Sequence, residues 1–322
     1  IAIAGTHGKT STTALVGHIL ARAGLARCCV CFWLAAHSRS NARAGEGPYF
    51  VLEADEYDRA FLGLAPKVAV ITAIEMDHPD CYRDIGEMRQ AFREFLERVP
   101  DGGSVVACVD DPQVLRVLQE WDGDPSRVMW YGLATGAGYE VRDVRPNGQG
   151  VDYEVIHRGH VWGRFSLQIP GVHNALNGCA AALAAQVCGV DPQDASAALS
   201  QFRGVLRRFQ VIGERAGTVV VDDYAHHPTQ VRATLAAARE RYPGRPIWAV
   251  FQPHTYSRTQ ALLDGFADCF GLADHVIVID IFAARSAERR TIRAEDLVRA
   301  IRHHDVRHID SIEGAAKHLL SA

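Results

Sequence analysis

The sequence predicts an α/β protein in two parts. Residues 1–205 read as a central P-loop domain, a doubly wound, mostly parallel sheet with a small antiparallel β section; residues 206–322 read as a smaller Rossmann-like α/β domain. Three observations carry this. A short apolar strand, Ile1 to Ala4, runs into the glycine-bearing loop Gly5-Thr6-His7-Gly8-Lys9-Thr10 and then into a helical pattern with Ala14, Leu15, Ile19 and Leu20. The runs Val68 to Thr72 and Ser104 to Val109 are nearly all apolar, as in parallel strands covered on both faces. Alternating strands and helices resume after a reset near Gly204 to Arg208.

Each element has its own signal. Met88, Phe92, Phe95 and Val99 recur at helical spacing, so Met88 to Val99 reads as an amphipathic helix, ended by Gly102-Gly103. Tyr139 to Ile169 alternates polar and apolar residues, with turn signals at Pro146-Asn147-Gly148 and Arg158-Gly159, and reads as three antiparallel strands. An alanine-rich helix follows from Asn174 to Val187, then a short helix from Asp191 or Pro192 to Phe202. In the second domain Val219 to Val221, Pro246 to Phe251 and Val276 to Ile279 read as three buried strands. Thr229 to Arg241 and Ser257 to Phe270 read as the helices between them, and Ser311 to Ala322 as a last helix.

Composition narrows the function. The 322 residues are 48% hydrophobic and 22% charged, ordinary for a globular protein, and the net charge of -4 offers no basic footprint for nucleic acid. No apolar run approaches the ~20 residues of a membrane span, and no signal peptide is visible, so no membrane insertion is expected. The eight cysteines lack a disulfide framework; Cys108, Cys179, Cys188 and Cys269 sit singly in apolar stretches and read as buried small hydrophobes, which fits a reducing cytoplasm. Cys28, Cys29 and Cys31 cluster without a second cluster at zinc spacing and read as part of a half-buried strand.

Polar motifs then fall at the ends of the predicted strands, where open α/β sheets bind ligands. The Gly5 to Thr10 loop offers backbone N–H groups and a helix dipole to an anion; Lys9 can reach terminal phosphates and the Thr10 hydroxyl can ligate magnesium. Glu53-Ala54-Asp55-Glu56-Tyr57-Asp58 and Glu75-Met76-Asp77-His78-Pro79-Asp80 follow the next two strands, with carboxylates and an imidazole suited to divalent ions. His173-Asn174-Ala175-Leu176-Asn177 opens the alanine-rich helix with two amides on one face. Arg207-Arg208-Phe209 marks the junction, where an arginine could stabilise a γ-phosphate. Asp222-Asp223-Tyr224-Ala225-His226-His227-Pro228 and Phe251-Gln252-Pro253-His254 complete the set.

In this order and spacing these segments resemble the Mur ligases, over nearly the whole chain. The resemblance implies a three-domain, ATP-dependent, amide-forming ligase of cytoplasmic peptidoglycan synthesis. This chain would be its central ATP-binding domain and much of its last domain, without the N-terminal UDP-binding domain and with the end of the last domain cut. The Asp-Asp-Tyr-x-His-His-Pro and Phe-Gln-Pro-His pair points to the branch that joins L-alanine to UDP-N-acetylmuramate. The branch that recycles murein peptides, and an ATP-binding module without ligation, are the alternatives.

The resemblance also implies roles. Gly5, Thr6, His7, Gly8, Lys9, Thr10 and Ser11 would form the ATP loop, with Lys9 on the β- and γ-phosphates. Thr10 and Glu53 would hold one magnesium and His78 a second. His173, Asn174 and Asn177 would face adenine, Asp223 the ribose and Arg208 the γ-phosphate. His226, His227, His254 and Arg258 would line the amino-acid and muramyl side. Lys9, Arg208, His226 and His227 are thus the catalytic candidates, and which histidine takes the amine proton stays open. Two stretches depart from the family pattern: Arg27 to Arg39, with Cys31-Phe32-Trp33-Leu34 where the family has a Gly-Gly segment, and Thr255 where an arginine is usual.

Overall fold

The computed structural model describes residues 1–30, 41–284 and 290–321; Cys31-Phe32-Trp33-Leu34, and with it most of the divergent Arg27 to Arg39 stretch, lies outside them. The chain divides into two compact units. One comprises 1–76 and 81–223, the other 77–80 and 224–322.

The first unit opens with β1 (Ala2–Ala4) and α1 (Lys9–Arg22), followed by β2 (Ala26–Val30), β3 (Ala42–Ala44), β4 (Tyr49–Glu53) and β5 (Val68–Ile71). Then come α2 (Ile85–Glu97), β6 (Ser104–Cys108), α3 (Pro112–Gln119) and β7 (Val128–Gly132). The antiparallel section is β8 (Tyr139–Pro146), β9 (Val151–His157) and β10 (His160–Leu167), the three strands expected there, with Arg158 (φ 51°) and Gly159 (φ 80°) making the β9–β10 turn. The helices α4 (Val172–Val187) and α5 (Pro192–Leu199) follow, then β11 (Gln210–Arg215) and β12 (Thr218–Asp222).

Ten strands form one sheet in the order β10-β9-β8-β7-β6-β5-β1-β4-β2-β3. From β2 to β8 the pairings are parallel. Side chains alternate between two apolar layers, as a strand buried on both faces requires. Ile3, Val70 and Val106 join the layer containing Leu15, Ile19 and the alanines of α4, whereas Ala2, Ala4, Ala69, Ile71 and Val105 join the layer of Phe61, Phe92 and Phe95. Chain order reverses at β1, which lies between β4 and β5, so the loops leaving β1, β4 and β5 emerge at one sheet edge.

The second unit contains α6 (Pro228–Arg241), β13 (Trp248–Phe251), α7 (Tyr256–Ala261), α8 (Leu263–Ala267), β14 (His275–Val278), α9 (Ala294–Ala300), β15 (Val306–His308) and α10 (Ile312–Ser321). Its three strands are parallel, in the order β13-β14-β15. Phe266, Phe270, Val276, Val278 and Leu297 fill its core.

Two expectations are corrected. Val219 to Val221 is not a buried strand of the second unit: β12 pairs antiparallel with β11 around Ala216 and Gly217, both at positive φ, and Val220 is 55% exposed. Three consecutive valines suit any strand, and composition does not say which sheet takes it. Ser257 to Phe270 is not one helix, since the backbone leaves helical geometry at Leu262 (φ -107°, ψ 19°) and separates α7 from α8. The four singly placed cysteines are buried, as read.

Phe92 is fully buried and meets the Phe61 ring edge to face at 5.2 Å between centroids. Phe92→Ala should cost about 3–5 kcal/mol of unfolding free energy in urea melts, whereas Val220→Thr on the exposed hairpin should stay within about 0.5 kcal/mol. Equal effects would contradict the burial described.

Candidate active site

The loop between β1 and α1 is shaped by two glycines. Gly5 has φ 132° and Gly8 φ 79°, and a Cβ at Gly5 would lie 2.2 Å from Thr72 Oγ1 and 2.9 Å from the Ala73 carbonyl. At Gly8 it would lie 2.5 Å from Asn177 Oδ1. The loop is held from β5's exit. Thr6 N–H donates to Ala73 O at 2.8 Å, the Thr6 hydroxyl donates to Glu75 O at 3.0 Å, and Glu75 N–H donates back to Thr6 Oγ1 at 2.9 Å. His7 Nε2 lies 2.7 Å from Glu75 Oε2. No acidic residue occupies the first turn of α1, so its N-terminal N–H groups keep their positive end for an anion.

Lys9 and Thr10 start the helix facing the end of β4. The Lys9 ammonium donates to both Glu56 oxygens, at 2.8 and 2.7 Å, and to Gly5 O at 2.7 Å. Burial opposes its charge, but Glu56, with Glu53 and Asp55 behind it, outweighs burial and raises the Lys9 pKa. Thr10 Oγ1 donates to Glu53 Oε1 at 2.8 Å. Three oxygen-bearing side chains, Thr10, Glu53 and Glu56, thus stand around the loop, a donor set that suits a hard divalent cation such as magnesium. Glu56, fully buried, was part of the acidic run in the sequence but not singled out as a site residue; its signal was lying three positions beyond Glu53.

Asn174 and Asn177, expected to face adenine, meet one another and neighbouring chain. Both are buried. Asn177 Nδ2 donates to Asn174 Oδ1 at 3.2 Å, Asn177 Oδ1 accepts from the Thr12 hydroxyl at 3.3 Å, and Asn174 Nδ2 donates to Pro170 O at 2.7 Å. Together they brace α1 just past Gly8. Asn174 Nδ2 also reaches His173 Nε2 at 3.1 Å, and His173 itself is exposed. Ser11 is buried in the first turn of α1. Arg208 is half-buried and within electrostatic reach of His173. The turn that carries it is pinned by Asp223, whose carboxylate accepts from Phe209 N–H at 2.8 Å, a contact that occupies one of the oxygens expected for ribose.

In the second unit, Arg258, expected to line the amino-acid and muramyl side, meets a carboxylate of the unit itself. It is 6% exposed, and its fork is filled by the Asp77 carboxylate, Nε to Oδ1 at 2.6 Å and Nη2 to Oδ2 at 3.2 Å. Burial alone would raise the Asp77 pKa; Arg258, helped by His78 and His226, outweighs burial and holds the carboxyl well below the usual carboxylate range. His78 lies beside it, Nε2 to Asp77 Oδ2 at 3.7 Å, with φ 54°. Arg258 Nη1 also donates to His254 Nδ1 at 3.1 Å. His227, almost wholly buried, caps α6, its Nδ1 accepting from Thr229 N–H at 3.3 Å. His226 is half-buried, and its Nδ1 meets Tyr224 O at 2.8 Å.

The folded pKa of Asp77 lies below its unfolded value, so the pair's contribution is complete above about pH 4 and is lost as pH falls below it. Asp77→Asn leaves Arg258 buried and uncompensated and should destabilise the second unit by about 3–5 kcal/mol at neutral pH. In urea melts the gap between the two proteins should narrow as pH is lowered; a gap constant with pH would show that the charge is not the cause.

The sequence matches two family models, the Mur ligase middle domain over residues 3–185 and the Mur ligase glutamate ligase domain over residues 207–322. It is 39% identical over 321 residues to the UDP-N-acetylmuramate–L-alanine ligase of Alkaliphilus metalliredigens, and 40% identical over 322 residues to that of Caldanaerobacter subterraneus. Each alignment covers 99% of this chain and 69% of the relative. The crystal structure of the UDP-N-acetylmuramate–alanine ligase from Thermotoga maritima superposes with a TM-score of 0.79 at 26% identity, covering 98% of this chain and 68% of that one. A murein peptide ligase from Psychrobacter arcticus shares the fold, with a TM-score of 0.67 at 23% identity over 99% of this chain and 70% of that one. The chain belongs to the Mur ligase family.

Proposed function

We propose that this chain performs the ATP-dependent ligation of L-alanine to the carboxylate of UDP-N-acetylmuramate, a step in making peptidoglycan precursors in the cytoplasm. The observation that carries the reading is the Lys9 ammonium, held by Glu56 at the point where strand order reverses, beside a loop that only glycines can form. The curated relatives that share 39–40% of its residues over 99% of its length bear the name of that activity. No helix among the described residues is long and apolar enough to cross a membrane.

The muramyl carboxylate attacks the γ-phosphorus of ATP, and ADP leaves. The acyl phosphate is then attacked by the amino group of L-alanine, and phosphate leaves from the tetrahedral intermediate. Both steps crowd negative oxygens together, so this chain's task is chiefly to neutralise and orient them. Lys9 exchanges the Glu56 carboxylate for the β- and γ-phosphates, a swap of one anionic partner for another. The α1 N-terminus receives phosphate oxygens, and Arg208 supplies a second positive charge to the γ-phosphate. Thr10, Glu53 and Glu56 are the residues that would hold magnesium, whose charge offsets that of the phosphates. His173 stands by the Asn174–Asn177 brace on the nucleotide side.

Lys9→Ala, in the full-length protein, should reduce ADP formation by about 100-fold or more; near-normal turnover would overturn the reading. Glu53→Gln and Glu56→Gln should each raise the magnesium concentration needed for half-maximal rate, and an unchanged magnesium titration would remove that carboxylate from the metal site. Phosphate release in wild-type protein should require both UDP-N-acetylmuramate and L-alanine.

A further inference from the structure

We infer that Thr72 is a positioning residue for the phosphate loop: its hydroxyl fixes the His7–Gly8 peptide with the Gly8 N–H turned towards the anion. The inference deepens the ligase reading and rests on it, because it takes the loop between β1 and α1 as the seat of the ATP phosphates. Every residue in it belongs to the first unit.

Thr72 follows β5 and is 6% exposed. Its backbone N–H donates to Ala4 O at 3.1 Å, which extends the parallel pairing of β5 with β1 by one bond. The hydroxyl does what the pairing does not require. It donates to His7 O at 2.5 Å and lies 3.2 Å from Ala4 O. The residues after Thr72 are themselves held. Ala73 O accepts from Thr6 N–H, Glu75 exchanges two hydrogen bonds with Thr6, and Ile74 N–H donates to the Asp111 carboxylate at 3.2 Å. Asp111 in turn caps α3, accepting from Gln113 and Val114 N–H at 2.8 and 2.9 Å. Thr72 therefore projects from a fixed platform.

The peptide bonds of the described residues are trans. In a trans peptide the C=O of one residue and the N–H of the next point in opposite directions. With Ala4 O and His7 O both drawn towards Thr72, the N–H groups of Gly5 and Gly8 point away from it. The Gly5 carbonyl is turned to the Lys9 ammonium at 2.7 Å. Gly8 is the N-cap of α1, so its N–H joins the first-turn N–H groups, which have no partner inside the helix. Donors on one side and carbonyls turned aside are what an anion-binding concavity of backbone needs.

Gly8 shows why such a strut is needed. Asn177 Oδ1 fills the place of its Cβ, and at φ 79° a glycine lets its peptide rotate at little cost. A loop obliged to be glycine is thus free to swing the His7 carbonyl towards the phosphates, which it would repel. The Thr72 hydroxyl removes that freedom. Gly5 is the matching half, since a Cβ there would lie 2.2 Å from Thr72 Oγ1 and displace the hydroxyl.

In the full-length protein, Thr72→Ala and Thr72→Ser differ from each other only by the hydroxyl. Thr72→Ala should weaken ADP binding by about 10-fold or more in titration calorimetry, the loss expected for a hydrogen bond to a charged group. It should raise KM for ATP by a similar factor with kcat within threefold, because a bond made to phosphate before and during transfer is uniform binding. KM for UDP-N-acetylmuramate should not follow. Thr72→Ser should restore both ADP affinity and KM for ATP to within threefold of wild type. Thr72→Val, which keeps the volume without the hydroxyl, should bind ADP as weakly as Thr72→Ala. The rise in melting temperature at a fixed ADP concentration should shrink in Thr72→Ala and return in Thr72→Ser; a packing role alone would lower the melting temperature and leave that rise intact. ADP affinity within threefold of wild type in Thr72→Ala or Thr72→Val, or a Thr72→Ser protein as weak as either, overturns the assignment. Wild-type protein that binds neither ATP nor ADP overturns the ligase reading, and this assignment with it.

Discussion

An ammonium ion buried at the turn from β1 into α1 sets the terms for the first unit. A lone buried charge costs several kcal/mol, so Lys9 needs an anion in every state of the protein. Glu56 supplies one, with both oxygens within 2.8 Å. For that carboxylate to arrive, β4 must lie beside β1 in parallel, with Glu53 opposite Ile3, so that the acidic run leaves at the loop's own edge. For the loop to pass so close to Thr72 and Asn177, residues 5 and 8 must lack a Cβ. Sheet order, glycines and carboxylate are three answers to one electrostatic demand.

Much of this was legible in the sequence. The loop motif, the apolar strands Val68 to Thr72 and Ser104 to Val109, and the antiparallel stretch from Tyr139 are local patterns, and each reappears as β5, β6 and β8 to β10. What escaped depends on partners distant in the chain. Nothing near Val219 tells whether it pairs with β11 or with a parallel neighbour. Nothing in the run from Glu53 to Asp58 says that Glu56, not Glu53, meets Lys9 while Glu53 meets Thr10. Nothing near Arg258 tells that Asp77, 181 residues earlier, fills its fork.

The three histidines of the second unit carry the same lesson in finer form. One residue type in one polar cluster takes three positions: a helix cap, a ring steadied by a guanidinium, and a ring whose N–H is taken by a carbonyl. Residue identity supplied the chemistry available. The partner of each nitrogen selects which part of it is used, and those partners, a backbone N–H, a guanidinium and a backbone carbonyl, are set by the fold.

The tetrapeptide 77–80 packs as part of the second unit although 143 residues of the first unit, 81–223, separate it from the rest of that unit. Recombination between relatives therefore has a hidden linkage. A chimera spliced at residue 223 exchanges the distal segment but keeps the donor's Asp77, and the guanidinium of the incoming Arg258 must find its carboxylate in foreign sequence. Modules that look separable along the gene are inherited together at the level of one ion pair, and any shuffling scheme must move the two pieces as a set.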